Sequence, residues 1–313
     1  MAEVWNGGLE PQDYTPNTIE EMGGMIGKVA FQVIRNANAV NPLYVFEKAR
    51  VENGDTIEQV VIKMATARDY DSTGANALTR KQVEMAVRYF KDWKREVFDT
   101  SVDIPEIRKV LLGSMGASDV ASKIVASLGE GETDNVFSKT KALLKWGRQS
   151  ADGGTGAVLK NYGTIALKDG AIDYDEFLIA VKDTVKGMQF ANADFNTAEL
   201  KRRTLNEDIY IVMPYKLKNR IDVSDLANAY NLDKKEIANK IIEVDTGTES
   251  RYQYVYIVDK NAILDFLRLY EMADQKNADG LFWNYFLHTE RLYGISPLFD
   301  CGYLKVEVEP EGE

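Results

Sequence analysis

With one cysteine (Cys301) and one histidine (His288), the sequence has almost none of the residues that usually carry nucleophilic or metal chemistry. A lone cysteine excludes an intrachain disulfide and fits a reducing compartment; Cys301 reads as a small buried residue. His288 is the only imidazole that could activate it, and no Ser-His-Asp pattern supports a relay. Neither G-x-x-x-x-G-K-S/T nor G-x-G-x-x-G stands ahead of a helical pattern. No enzyme, cofactor or metal site is expected. Long apolar runs are missing too, so nothing is predicted to span a membrane. The opening MAEVWNGGLEPQDYTPNTIEE is acidic and has no apolar signal-peptide core. A soluble protein made in a cytoplasm is the expectation. Acidic residues outnumber basic ones, 49 to 38: the net charge of −11 argues against a dedicated nucleic-acid binder, whose affinity rests on clustered Lys and Arg. It is compatible with a container for nucleic acid.

What is present is ordinary for a globular chain: 45% hydrophobic and 28% charged residues over 313 positions, enough for one large domain or two ordinary ones. Residues 1–20 read as an extended arm and 19–35 as a helix weakened by Gly23, Gly24 and Gly27. Val60, Ile62 and Met64 alternate with Gln59, Val61 and Lys63 in a strand period. Val83, Met85, Val87 and Tyr89 alternate similarly, which makes a long two-stranded hairpin. A helix through Val83, Val87, Phe90 and Val97, opened by a Thr79–Gln82 capping box, fits the second arm equally well. Two helices follow. One opens at Ser118 and stops at Gly129; the other runs from Thr133 to Gly147, and the pair forms a long spine. The glycine-rich stretch 149–171 reads as a loop or short hairpins. Beyond it lies a helix with Phe177, Val181, Val185 and Met188 on one side. The last third alternates strands (208–214, 241–245, 254–259) with a helix pair over 222–241 and a helix over 261–272, a small central sheet of α+β type. Two closing strands turn around Gly294 to Pro297.

Three patterns imitate functional sites. Asp69, Asp71, Thr73 and Gly74 open like a calcium loop, but Arg80 stands where the bidentate Glu is needed. The stretch 169–177 closes like one, yet its first ligand positions are Ile165 and Leu167, which bind no hard cation. Both read as turns, the second as a helix start. The pair over 222–241 imitates a helix-turn-helix, with Lys234, Lys235, Asn239 and Lys240 set against Asp233 and Glu236. In so acidic a chain a structural helix pair is favoured.

A set of short patterns in fixed order carries more weight. Asn41-Pro42-Leu43 is followed by a Gly54-Asp55-Thr56-Ile57-Glu58 turn and by Tyr70-Asp71 at the end of the strand. Farther on come Asp222, Val223, Leu226, Ala227, Ala229, Tyr230 and Asn231, then IIEVD ending at Asp245, then the closing FLHTERLYGISPLFDCGYL. In this order, across about 260 residues, the chain resembles the major capsid (head) proteins of tailed bacteriophages, podovirus type. It departs from them after residue 88, where only Tyr89, Phe90, Trp93 and Phe98 supply aromatics, and in the glycine-rich stretch.

The resemblance implies the tailed-phage major capsid shell fold, α+β: an N-terminal arm (1–46), an extended β-hairpin loop (47–90), a peripheral domain with a spine helix (91–150), an axial domain with a central sheet (151–265) and peripheral closing strands (266–313). It implies self-assembly into an icosahedral virion head, built in the host cytoplasm around double-stranded DNA that is not contacted sequence-specifically. Its partners would be identical subunits in pentamers and hexamers, with scaffold, portal and accessory head proteins besides, and no membrane. Asn41, Pro42, Leu43, Gly54, Asp55, Thr56, Ile57 and Glu58 are the inter-subunit contact positions it suggests. An encapsulin-like nanocompartment uses the same fold and stays open, as does an acidic adaptor working through the 222–241 helix pair.

Overall fold

The computed structural model describes residues 38–52, 54–70, 72–74, 78–103, 117–149, 158–168, 171–219, 240–245 and 251–308. The expected arm helix at 19–35 and the helix pair over 222–241 lie almost wholly outside them, as does Asp71. The chain divides into two compact units. One comprises residues 1–39, 97–133 and 271–288; the other comprises 40–96, 134–270 and 289–313.

The larger unit is organised by a five-stranded sheet. Its strands are β4 (Lys160–Ile165), β7 (Ile209–Pro214), β8 (Ile241–Val244), β9 (Tyr252–Asp259) and β12 (Cys301–Glu307), in the order β4-β12-β9-β7-β8. The two outer strands lie parallel to their neighbours, and the three inner strands pair antiparallel. Both faces are covered, which explains why β7 reads as a continuous apolar run rather than an alternating one. On one face Ile209, Ile211 and Met213 of β7 join Val255, Ile257, Leu304 and Val306. On the other, Val212 packs with Ile242, Val244, Tyr256, Val258 and Tyr303.

The first face is closed by α2 (Tyr174–Met188). Asp173 caps it: its carboxylate accepts from the Glu176 amide at 3.1 Å. Phe177, Val181, Val185 and Met188 recur at helical spacing and are fully buried. The calcium-like stretch is therefore a small hairpin, β5 (Leu167–Lys168) with β6 (Ala171–Ile172), leading into a capped helix. A four-residue helix, α3 (Tyr215–Lys218), ends β7.

Leu144 of α1 (Ala117–Gln149), with Leu43, Phe46 and Leu159, closes the second face. Helix α1 is one helix of 33 residues where two were expected. Gly129 does not stop it, because Leu128, Val136, Thr140 and Leu144 form one buried stripe, and side-chain packing outweighs the glycine penalty. The hydroxyl of Thr133 donates back to the Gly129 carbonyl at 2.9 Å.

A second correction concerns residues 261–272. They begin β10 (Ile263–Lys276), not a helix. Ile263, Leu264 and Asp265 are buried in succession, and the carbonyls of Asp265 and Leu267 accept from the amides of Lys48 and Val51 (2.8 and 2.9 Å). Long-range pairing has overridden a helix-compatible spacing. β10 lies in a three-stranded sheet of order β10-β11-β3 with β11 (Trp283–Ile295) and β3 (Trp93–Val102). The border drawn at 265/266 thus falls inside β10, and β12 pairs with β9 rather than with β11.

The open choice at residues 83–97 resolves to strand. β1 (Ile57–Ile62) pairs antiparallel with β2 (Met85–Phe90), Ile57 opposite Phe90 through Ile62 opposite Met85. The first strand ends at Ile62, eight residues before Tyr70.

Gly302 lies in β12 where β4 comes closest. A Cβ there would sit 2.2 Å from the Lys160 carbonyl oxygen and 2.4 Å from the Tyr162 ring. Gly302→Ala is expected to lower stability by about 1–3 kcal/mol through overpacking. Gly131→Ala, within α1 and with only Phe98 nearby at 3.6 Å, is expected to raise it by about 1 kcal/mol. Urea unfolding of both variants measures the opposite shifts.

Candidate functional site

The β1–β2 ribbon is fixed at its base by a plug. The Asn41 side chain accepts from the Leu43 amide at 2.9 Å, and the Phe46 amide donates to the Leu43 carbonyl at 3.1 Å. This tight turn drives Leu43 and Phe46 into the core against Leu144 and Leu159. Leu43 is 1% exposed, so it anchors within its own chain. Beside the plug, Arg291 pairs with both Asp265 and Glu47 at 3.0 Å, tying the start of the loop to β10 and β11. Burial lowers the pKa of Lys48, whose ammonium donates to the Lys260 carbonyl at 2.6 Å.

A second clamp holds the turn before β1. Gly54 has φ +95°, a conformation that suits glycine. Arg268 reaches it from β10: its Nη1 donates to the Gly54 carbonyl at 3.3 Å and pairs with the Asp55 carboxylate. Its Nε and Nη2 hold Glu290 in a two-pronged bond of 3.1 and 2.6 Å. The guanidinium lies 4.6 Å from the Trp93 ring centroid, and Trp93 Nε1 donates to the Asp55 carbonyl at 2.8 Å. The hydrogen bonds to Glu290 lead the effects that raise the Arg268 pKa.

Beyond the clamps the ribbon's two faces differ. Ile57, Gln59 and Val61 point to the half-buried side, and Gln59 donates to the Asn261 carbonyl at 3.3 Å. The other face carries Val60 opposite Val87 and Ile62 opposite Met85, all four exposed, Ile62 at 66%. Glu58 and Tyr89 flank this stripe, joined by a 3.0 Å hydrogen bond that raises the phenol pKa. Lys63 and Glu84 flank its other end at 3.1 Å. Four aligned apolar side chains facing water on a two-stranded ribbon form a surface suited to association.

The eight positions singled out in the sequence therefore divide. Asn41, Pro42 and Leu43 build the plug, Gly54, Asp55 and Thr56 the clamped turn, and Ile57 and Glu58 begin β1. Sequence reasoning missed Asp265 and Arg268, because the helical reading of 261–272 hid the β10 positions that face the loop, and with them their β11 partners Glu290 and Arg291. Cys301 is buried, and that burial pushes its thiol pKa well up, away from the reactive thiolate. His288 stacks on Phe286, ring centroids 6.4 Å apart. Among the described residues no helix is long and apolar enough to cross a membrane.

The architecture and the ribbon can now be set beside known proteins. A family model described as Phi29-like phage major capsid protein matches residues 5–304. The chain belongs to this family. The major capsid protein of Bacillus phage GA-1 is 25% identical over 278 residues, covering 87% of this chain and 57% of that protein. That of Bacillus phage PZA is 25% identical over 301 residues, covering 95% and 65%. The chain thus spans roughly three-fifths of the length of these two relatives. Among solved structures, the capsid of Staphylococcus phage Andhra superposes with a TM-score of 0.73 at 12% identity, over 90% of this chain and 88% of that one, which shows the fold. The family and these relatives are phage capsid proteins, so the encapsulin-like and adaptor readings are not retained.

The clamp predicts a local effect. Arg268→Met is expected to loosen the ribbon by about 1–2 kcal/mol, the scale of hydrogen bonds to a charged partner. Hydrogen exchange at 57–62 should accelerate roughly ten-fold, about 1.4 kcal/mol, while amides of β7 and β9 keep their protection.

Proposed function

We propose that this chain is the structural subunit of a phage head, assembling with copies of itself into the closed icosahedral shell around the double-stranded DNA. The observation that carries this reading is the exposed apolar face of the β1–β2 ribbon, within a chain of the phage capsid family. A ribbon of two strands is marginal in water unless something packs on it, and a neighbouring subunit is the natural cover. The ribbon and the surface it meets differ, so the contact is heterologous and closes into rings; pentamers and hexamers are the rings a closed shell requires. Asn41, Pro42, Leu43, Gly54, Asp55 and Thr56 then set the angle of the ribbon, and Ile57 and Glu58 start its contact surface. Of these, Gly54, Asp55, Thr56 and Glu58 are exposed in the single chain.

The proposed division follows the same logic: an arm over 1–46, the ribbon loop over 47–90, a peripheral part over 91–150 and 266–313 carrying the long helix α1, and an axial part over 151–265. Scaffold, portal and accessory head proteins would be the further partners, and the finished protein would reside in the virion. The role is structural rather than enzymatic.

Electron microscopy with light scattering on the full chain, alone and with a scaffolding protein, tests the reading. Closed particles or five- and six-fold rings are expected. Val60→Glu with Val87→Glu should abolish them while leaving circular dichroism and the unfolding midpoint of the central sheet unchanged. A chain that stays monomeric in both settings, or a double variant that forms normal particles, contradicts the proposal.

A further inference from the structure

A groove of about 740 Å³ lies at the foot of β2, and all the residues described in its lining belong to the larger unit. One wall is a single face of α1, where Lys139, Ala142, Leu143 and Trp146 recur at i, i+3, i+4 and i+7. Phe90, Leu292 and Ile295 join Leu143 in an apolar floor, while Trp146 is 54% exposed. The charged residues described in the lining are Arg88, Lys91, Lys94 and Lys139 against Asp92. Lys139 pairs with Glu96, which leaves Arg88, Lys91 and Lys94, all exposed, as the cations turned to solvent there. In a chain of net charge −11 this is a local reversal of sign over an apolar hollow.

We propose that the groove is the docking site for an acidic segment of a partner protein, one that carries aromatic or aliphatic residues among its carboxylates. The carboxylates would meet Arg88, Lys91 and Lys94 in charge-assisted hydrogen bonds. The apolar side chains would cover Leu143 and Trp146, with the indole as the anchor.

Charge complementarity selects the sign of the occupant, and the acidity of the chain as a whole sharpens the choice of place. An acidic partner is repelled by a net charge of −11 and gains where three exposed cations gather. The floor selects the class. A nucleic-acid strand would find the same cations, but its bases would bring polar edges onto Phe90, Leu143, Leu292 and Ile295, which offer them no hydrogen-bond partner. Aliphatic and aromatic side chains of a peptide bring no such cost. The described surfaces of a second copy fit less well. On its ribbon, Glu58 and Glu84 are already bound to Tyr89 and Lys63; on its α2, Ile179 is the one large apolar side chain exposed. The shell reading concerns the outer face of the ribbon, and this proposal does not rest on it.

The probe is a fluorescently labelled random copolymer of glutamate and tyrosine, which requires no chosen spacing of the two residues. It is added to the full chain at a concentration where light scattering shows single subunits. Fluorescence anisotropy at low salt is expected to show binding about ten-fold tighter than that of polyglutamate of equal length, the share of the apolar floor. Lys91→Glu with Lys94→Glu, and separately Trp146→Ala, should each weaken binding about ten-fold, with circular dichroism unchanged. Binding should also weaken several-fold in about 1 M salt, where the screening length drops to about 3 Å. A second readout locates the site: bound copolymer should slow acylation of Lys91 and Lys94 several-fold and leave Lys182, exposed on α2, unchanged. No binding, equal affinity for polyglutamate, or indifference to both sets of substitutions overturns the proposal. Tighter binding of an oligothymidylate of matched charge overturns it in favour of a nucleic acid. Slower acylation of Lys91 and Lys94 as the chain alone is concentrated overturns it in favour of a second copy.

Discussion

A two-stranded ribbon with an apolar face cannot satisfy itself, and much of this structure follows from that constraint. The backbone of β1 and β2 is paired, but Val60, Ile62, Met85 and Val87 remain exposed on one face of the ribbon. Extending such a ribbon from a subunit is useful only if it is held in a definite direction. The plug and the clamp do this with different physics. Leu43 and Phe46 anchor it by apolar burial, while Arg268 gathers Asp55, Glu290 and the Trp93 face around one guanidinium. The first resists salt; the second is directional and fixes the turn at Gly54.

The central sheet is built so that the ribbon's state hardly touches it. Its two faces are filled separately, by α2 on one side and by α1 with the plug on the other. Polar groups near the end of β9 pair with one another: Arg202 pairs with Asp259 at 3.1 Å, and Thr204 and Asn196 donate to Asp300 at 2.6 and 3.1 Å. Burial still raises the Asp259 pKa, with the Asn261 amide and Arg202 opposing it. A well-packed sheet beside an incompletely satisfied ribbon is what the proposed shell subunit needs: stability in one part, unfilled contact surface in another.

Where the pattern was local, the sequence was legible. The spacing of Phe177, Val181, Val185 and Met188 gave α2, and the apolar run at 209–213 gave β7, because each face is filled along its own length. Where the decisive partner was distant, it was not. Residues 261–272 have a helix-compatible spacing, and only pairing with β11 and with Lys48 and Val51 makes them strand. Gly129 looked like a stop because the stripe that carries α1 through it depends on tertiary packing. The ribbon's alternation at Val60 and Ile62 was visible, yet it could not say that the apolar side would be the outer one; that depends on the Ile57, Gln59 and Val61 side being partly covered by distant residues such as Asn261. Arg268 was invisible as a clamp for the same reason, since Asp55 lies 213 positions away.

The central claim is that the outer face of β1–β2 is completed by another subunit. Hydrogen exchange on free and assembled chains measures it directly, at residues 57–62 and 85–90, with β7 and β9 as internal references. The account predicts fast exchange of the ribbon in the free chain and protection approaching that of the central sheet after assembly, with β7 and β9 unchanged. A ribbon already as protected as β7 in the free chain, or one whose exchange is the same in assembled particles, would contradict it.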